Sequence, residues 1–245
     1  MCRTNIFLVA SLLTVAFAQS QSTTAVQWSA TDDGGAPVPQ AQITFRRIPQ
    51  LVGPIGRARL APGEVYSQGI VNTDSTGVFC GQALPAGRYF LCGRGTSGPY
   101  LDPCKWQSAV PVLIDGTGTS LQALTLKKGV FLNVQINDPD GLLPKSPGPL
   151  LQPRSLVVGV KFGSGAFLGM ESISTNVAGQ IYQMAIPVGT PLFLWLFSKT
   201  VAITDSSQKP VATGGVAIPF QASPGTDYSF SFTVAPLKTV STSAQ

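Results

Sequence analysis

The sequence predicts an all-β chain built from two tandem β-sandwiches behind a cleaved leader, and three observations carry that expectation. Short apolar or alternating segments recur between glycine, proline, asparagine and aspartate. Amphipathic stretches with a helical period and a charged face are missing beyond the first residues. One block of sequence also returns, without a gap, 102 residues further on.

The segments are QITF, GVFC, RYFLC, PVLI, QALTL, FLNVQI, LVVGVKF, LFLWLF and YSFSFTV, each bounded by turn-forming residues. Gly 26, Pro 20 and a charged fraction of 11% fit a turn-rich sandwich better than charged helices.

The leader is read from MCRTN, an apolar run from Ile6 to Ala18, and A-F-A at 16–18 before QSQSTT. One basic residue, Arg3, then an apolar stretch, then small residues is the pattern of a secretory signal, so residues 1–18 are expected to be removed after Ala18. The run is too short to span a bilayer comfortably, and glycine, proline or charge breaks every later one, so no transmembrane segment is expected. Cys2 leaves with the leader. Cys80, Cys92 and Cys104 remain in an exported protein, periplasmic or extracellular, where disulfides persist.

The repeat sets VNTDSTGVFCGQALPAGRYFL, 71–91, on ISTNVAGQIYQMAIPVGTPLF, 173–193. Thr73 meets Thr175, Asp74 meets Asn176 and Gly77 meets Gly179, while Leu84, Pro85 and Gly87 meet Ile186, Pro187 and Gly189. Each copy reads as a polar turn with a glycine, a strand, a proline-glycine hairpin turn and a returning strand. The structural turns are thus placed at Gly77, Pro85, Gly87, Gly179, Pro187 and Gly189. WSATDDGGAPV at 28–38 likewise resembles QINDPDGLLP at 135–144. Residues 24–128 and 129–236 are expected to be the two sandwiches, with a boundary near Lys127–Gly129 and a frayed, disordered tail at 237–245. In the first copy Phe79, Leu84, Tyr89 and Leu91 alternate toward the core, and Cys80, Phe90 and Cys92 face away.

Composition removes most chemistry. With His 0 there is no Ser-His-Asp or Cys-His arrangement and no imidazole base. Three cysteines without histidine or C-x-x-C spacing make a poor zinc or redox site. Glu64 and Glu171 are the two glutamates. Most aspartates sit in turns, as in TDDGG at 31–35 and NDPDG at 137–141, where the side chain caps the turn. No glutamate follows NDPDG where a calcium loop needs it. No S-x-x-K or other nucleophile motif is read, so a non-enzyme without cofactor or metal is expected.

The stretches T-D-D-G-G-A-P-V-P-Q-A-Q-I-T-F, T-D-S-T-G-V-F and L-P-A-G-R-Y-F-L, within 28–91, resemble the carboxypeptidase regulatory-like domain of secreted bacterial-type proteins. That family has a seven-stranded sandwich of prealbumin-like or immunoglobulin-like topology. The second copy departs from the pattern, with PKSPGPLLQPR inserted at 144–154 and T-P-L in place of R-Y-F. The related collagen-adhesin B-type repeats include members locked by a Lys-Asn isopeptide bond, but AVQW, the first strand here, has no lysine for one. The resemblance implies an accessory, binding or structural module and carries over no active site.

Two cysteine pairings are open. Cys80 and Cys92 would lie nearly opposite across a hairpin centred near Ala86. Cys92–Cys104 would close GRGTSGPYLDP, 93–103, which has few apolar anchors of its own. The second is the expectation, and the LC…YLDPCKW ending also resembles a cysteine-clipped loop in secreted members of the family. Cys80 is then a buried thiol.

Residues 24–128 hold nine Lys/Arg against six Asp/Glu, and 129–236 hold five of each. Arg46, Arg47, Arg57, Arg59, Arg88, Arg94 and Lys105 all fall in the first sandwich, as a solvated basic face or a polyanion site. No basic-aromatic motif points to nucleic acid. The expected role is a non-catalytic structural or interaction module of the periplasm or cell surface, with a protein or cell-surface polysaccharide as partner. The alternative is a carbohydrate-binding module using Trp28, Tyr100, Trp106 or Trp195, which requires two of them on one exposed face. Trp195, inside LFLWLF, is expected in the core.

Overall fold

The computed structural model describes residues 23–53, 59–60, 67–115, 119–144, 156–176, 179–205, 210–211 and 216–237. The leader, the tail from 238 and most of the 144–154 insertion lie outside them. The described residues form strands and no helix, so none of them makes a helix that could cross a membrane. The chain divides into two units, Met1–Lys128 and Gly129–Gln245.

Unit 1 runs β1 (Thr23–Asp32), β2 (Gln42–Arg47), β3 (Leu51–Val52), β4 (Arg59–Leu60), β5 (Gln68–Asn72), β6 (Val78–Pro85), β7 (Gly87–Arg94), β8 (Val112–Ile114) and β9 (Thr119–Leu126). Its sandwich pairs a sheet of order β6-β1-β9 with one of order β5-β2-β7-β8. Alternation along each strand fills the space between: Val26, Trp28 and Ala30 from β1, Ile43 and Phe45 from β2, Tyr89 and Leu91 from β7, Leu124 and Leu126 from β9. Trp28 stacks on Phe45 at 5.8 Å, and Tyr89 meets Phe45 edge-on at 6.4 Å. Trp28 is completely buried, which removes it from any sugar-binding surface.

The Pro85–Gly87 turn is not a hairpin, contrary to the sequence expectation. β6 pairs with β1, and β7 pairs with β2 and β8, so the turn carries the chain from one sheet to the other. The L-P-A-G-R-Y motif explains why. Tyr89 Oη donates to the Pro85 carbonyl at 2.9 Å, and Arg47 Nη2 donates to the Ala86 carbonyl at 2.7 Å. These two bonds hold the crossing closed, as a tyrosine does at the corner of other sandwiches. Cys80 and Cys92 therefore lie in different sheets and are not cross-strand partners.

The T-D-S-T-G motif is a second local device. Buried Thr73 accepts from the Ala41 amide and donates to the Val38 carbonyl, tying β5 to the lead-in of β2. Asp74 Oδ1 takes the Thr76 amide, the Thr76 hydroxyl and the Val78 amide. Gly77 follows at φ 75°, where an added Cβ would stand 2.8 Å from the Ala30 carbonyl oxygen.

Unit 2 runs β10 (Val130–Asn137), β11 (Leu156–Phe162), β12 (Phe167–Gly169), β13 (Glu171–Asn176), β14 (Gly179–Ile186), β15 (Pro191–Ser198), β16 (Val201–Asp205), β17 (Pro210–Val211), β18 (Val216–Gln221) and β19 (Tyr228–Pro236). Its sheets are β13-β14-β10-β19-β16-β17 and β12-β11-β15-β18. The segment β14-β10-β19 repeats β6-β1-β9, and β12-β11-β15-β18 repeats β5-β2-β7-β8. In both units the first strand pairs in parallel with the last of the shared set: β1 with β9, β10 with β19. Gly179 reproduces Gly77, since its Cβ would fall 1.9 Å from the carbonyl oxygen of Ile136 on β10. β14 and β15 also occupy different sheets, so Pro187 and Gly189 mark a crossing as well.

The likeness stops at two places. β5 sits beside β2, whereas the aligned strand β13 sits beside β14, and Thr175 is exposed where Thr73 is buried. The crossing is also one residue longer in unit 2. Leu84 and Tyr89 are inward on either side of the first, Ile186 and Leu192 on either side of the second. A slip of one residue exchanges the two faces of everything that follows.

The aspartates of the opening turns are buried caps. Asp32 Oδ1 accepts the amides of Gly34 and Ala36, and Lys128 Nζ reaches its Oδ2 at 2.8 Å. Asp138 accepts the amides of Leu142 and Leu143, one on each oxygen. The Lys128 hydrogen bond, then the Ala36 amide, hold the Asp32 carboxyl below its ordinary pKa despite burial. A depressed carboxylate stabilises the fold above its unfolded pKa, and that contribution is lost as the pH falls through the folded value. Asp32→Asn should therefore shallow the acid limb of unit 1's stability profile, leaving the part due to Asp74, which is lowered by the Thr76 hydroxyl. An acid limb identical to wild type in a urea titration between pH 2 and about 6 would remove Asp32 from this account.

Candidate functional site: a clipped loop and two outward sheet faces

Cys92 and Cys104 are bonded, with Cα atoms 5.1 Å apart. Cys92 faces outward from β7, and the bond ties Cys104 to that side of the strand. The loop has two apolar anchors, Tyr100 and Leu101, packed toward the core. The Leu101 amide donates to the Lys127 carbonyl at 2.9 Å, and Tyr100 bridges to Lys128. Gly95 passes so close to the Tyr100 ring that a Cβ there would lie 2.0 Å from it. Asp102 Oδ1 accepts the Cys104 amide at 3.0 Å and the Gly93 amide at 3.3 Å, closing the loop from inside. The side chain of Cys80 lies outside the described residues, so the thiol expected there stays a proposal.

Cys92, Asp102 and Cys104 bring three potential ligand atoms within 4.8 Å of one another. They do not fit a metal. The two sulfurs are joined to each other, so neither is a thiolate, and one Asp102 oxygen is already engaged by amides. A serine–lysine pair at S-x-x-K spacing does occur, Ser206 and Lys209, which corrects the reading of no such motif. Both residues lie outside the described ones.

The aromatic residues fall differently from the sequence expectation. Trp28 is in the core, Tyr100 is half-buried in the clipped loop, and Trp106 is half-buried just after it. Trp195 is not core. On β15, Leu192, Leu194 and Leu196 point inward while Phe193, Trp195 and Phe197 stand half-buried on the outer side. Trp195 pairs with Gly159 of β11, whose missing side chain leaves room for the Phe167 ring: a Cβ on Gly159 would lie 2.3 Å from that ring. Lys161 Nζ sits 3.4 Å from the Trp195 ring centroid. The outer face of β12-β11-β15-β18 thus carries four aromatic side chains and one ammonium. The outer face of unit 2's other sheet is largely polar, with Gln183 donating to Asn133, Gln135 to Asn137 and Asn137 to Ser231, and with Glu171 opposite Gln183.

Strict period-two alternation was the signal available for the aromatic face, but in a segment with no polar residue it does not say which side is inside.

No family model matches the chain, and no curated protein matches it. Among solved structures it is similar to the Bacillus anthracis TIE protein, at 11% identity over 87% of this chain and 34% of that one, with a TM-score of 0.30. It is similar to a streptococcal ancillary pilin, at 15% identity over 89% of this chain and 64% of that one, TM-score 0.40. It is also similar to the shaft pilin SpaA of Lactobacillus rhamnosus GG, at 10% identity over 88% of this chain and 99% of that one, TM-score 0.30. The chain spans about a third of the first and just under two thirds of the second.

Proposed function

We propose that the protein is an exported, non-catalytic interaction module of the periplasm or cell surface, holding a protein partner against the aromatic outer face of unit 2. The observation that carries this reading is the row Phe193, Trp195 and Phe197 beside Phe167, which is 39% exposed. An aromatic sheet face of this kind favours a macromolecular partner over bare solvent. Support for export comes from the leader pattern at 1–18 and the Cys92–Cys104 bond. The resemblance to carboxypeptidase regulatory-like domains belongs to the same proposal.

A carbohydrate ligand is the second reading, favoured by several rings on one flat face. Lys161 counts against it, because its ammonium occupies a face of Trp195 that a sugar ring would need. A photoreactive p-benzoylphenylalanine in place of Phe193 or Phe197, in the full chain exported by its own cells, should cross-link to a discrete protein. The same group in place of Gln135, on the polar face, should not. Equal adducts from all three positions, or none, would sink the protein-partner reading. Glycan-array binding that vanishes in Trp195→Ala would put the carbohydrate reading in its place.

A further inference from the structure

The outer face of β5-β2-β7-β8 in unit 1 has a chemistry of its own, independent of the aromatic face. Along β7 the outward positions are Arg88, Phe90, Cys92 and Arg94. Along β2 they are Gln42, Thr44 and Arg46, with Arg46 directly opposite Phe90 and Gln42 opposite Arg94. β5 adds Gln68, Ile70 and Asn72, and β8 adds Leu113 opposite Arg88. The alternation that buries Ile43, Phe45, Tyr89 and Leu91 is what turns these residues outward. No described strand residue on this face is acidic.

Arg46, Arg88 and Arg94 are all exposed, and none of their side chains makes an ion pair or hydrogen bond among the described residues. Arg88 and Arg94 are six residues apart on one strand, so their Cα atoms are separated by about 20 Å. Arg46 lies between them on the neighbouring strand. Lys105 extends the line, because it follows Cys104, which is bonded to Cys92 of the same row. Among the described residues acid stands near this row at Asp102, whose Oδ1 is committed to the Gly93 and Cys104 amides, and at exposed Asp115, just past β8 at the Arg88 end. Guanidinium groups are suited to this task, since each presents a planar fork that matches a carboxylate or sulfate group.

We propose that this face binds a linear acidic polysaccharide, with Arg46, Arg88 and Arg94 engaging its carboxylate or sulfate groups and Phe90 seating a sugar ring between them. The layout favours a chain over an anionic membrane. The cations run in line with β7, and the exposed aliphatic residues Ile70 and Leu113, 63% and 66% accessible, lie on the two edge strands as banks of a track. Membrane insertion rewards apolar tips that project beyond the cations, and here they share one sheet face with them.

The test uses the mature full chain and four probes in calorimetric titrations: polygalacturonate, heparin oligosaccharide, neutral dextran, and vesicles containing phosphatidylglycerol. One or both acidic polysaccharides should bind, and binding should weaken as salt rises. The triple variant Arg46→Gln, Arg88→Gln, Arg94→Gln should lose about tenfold in affinity or more. Phe90→Ala should weaken the same probe, whereas Lys199→Gln, in unit 2, should not. Circular dichroism confirms that the exposed substitutions leave the fold intact. Undiminished affinity in the triple variant, binding of dextran as tight as that of the acidic probes, or arginine-dependent binding to the vesicles alone would each overturn the proposal. Cross-linking from Phe193 is unaffected by any of these substitutions, so failure here leaves the unit 2 reading separately testable.

Discussion

Trp28→Ala is expected to destabilise unit 1 by about 4 kcal/mol, the scale for removing a large aromatic side chain from a core that cannot collapse around the gap. Trp28 is completely buried on the central strand of its sheet and stacks on Phe45, which in turn packs on Tyr89. Those three rings span the sandwich from one sheet to the other. Trp28→Phe should cost much less. Its indole Nε1 has no hydrogen-bond partner among the described residues, so phenylalanine forfeits volume and leaves no polar group stranded. Calorimetry of the full chain reads both variants as a shift in one transition. A loss below about 1 kcal/mol for the alanine variant would show that the ring stack is not central to this core.

Cys104→Ser is expected to lower the stability of unit 1 by about 3 kcal/mol, by returning to the unfolded chain the freedom that the bond removes. The separation of the two cysteines is 12 residues. Tyr100, Leu101 and Asp102 retain part of the loop's order in the variant, and the segment 94–99, tied to the body by the exposed Thr96 hydroxyl on the Gln40 carbonyl, should become the first site of proteolysis. Peptide mapping without reduction provides the companion measurement. A linked pair containing Cys80 and Cys92, with Cys104 free to alkylate, would contradict the bond seen here.

The β class, the turn caps and the two glycines Gly77 and Gly179 were legible because each is a local pattern with a local cause. Thr73 and Asp74 stand in a motif whose bonds close within a few residues or onto the next strand. The sheet partners were not legible. A proline-glycine turn between two strands reads as a hairpin unless one knows that Tyr89 hooks the Pro85 carbonyl across the core, and that hook depends on how the sheets stack. The same limit hid the aromatic face. An ungapped alignment sets Phe193 on Leu91, which is inward, and unit 2 spends one extra residue in its crossing. That residue reverses the sense of LFLWLF, putting leucines inside and rings outside. Pattern alone weighs both senses equally when every residue in the run is apolar. The basic face was visible as composition, but its line along β7 depends on pairings such as Arg46 with Phe90 that only the sheet order reveals.

The parallel pairing of β1 with β9 extends over eight residue pairs, Ala25–Thr119 to Asp32–Leu126, and that of β10 with β19 over six, Leu132–Tyr228 to Asn137–Thr233. Parallel neighbours at the two ends of a unit mean that the chain enters at one pole of the sandwich and leaves at the other. Tension applied through the backbone then pulls the two strands past each other along their length. Every hydrogen bond of the ladder shares that load at once, whereas an antiparallel terminal pair would be unzipped one bond at a time. Each unit is by this arrangement a link that resists stretching along the direction of its terminal strands.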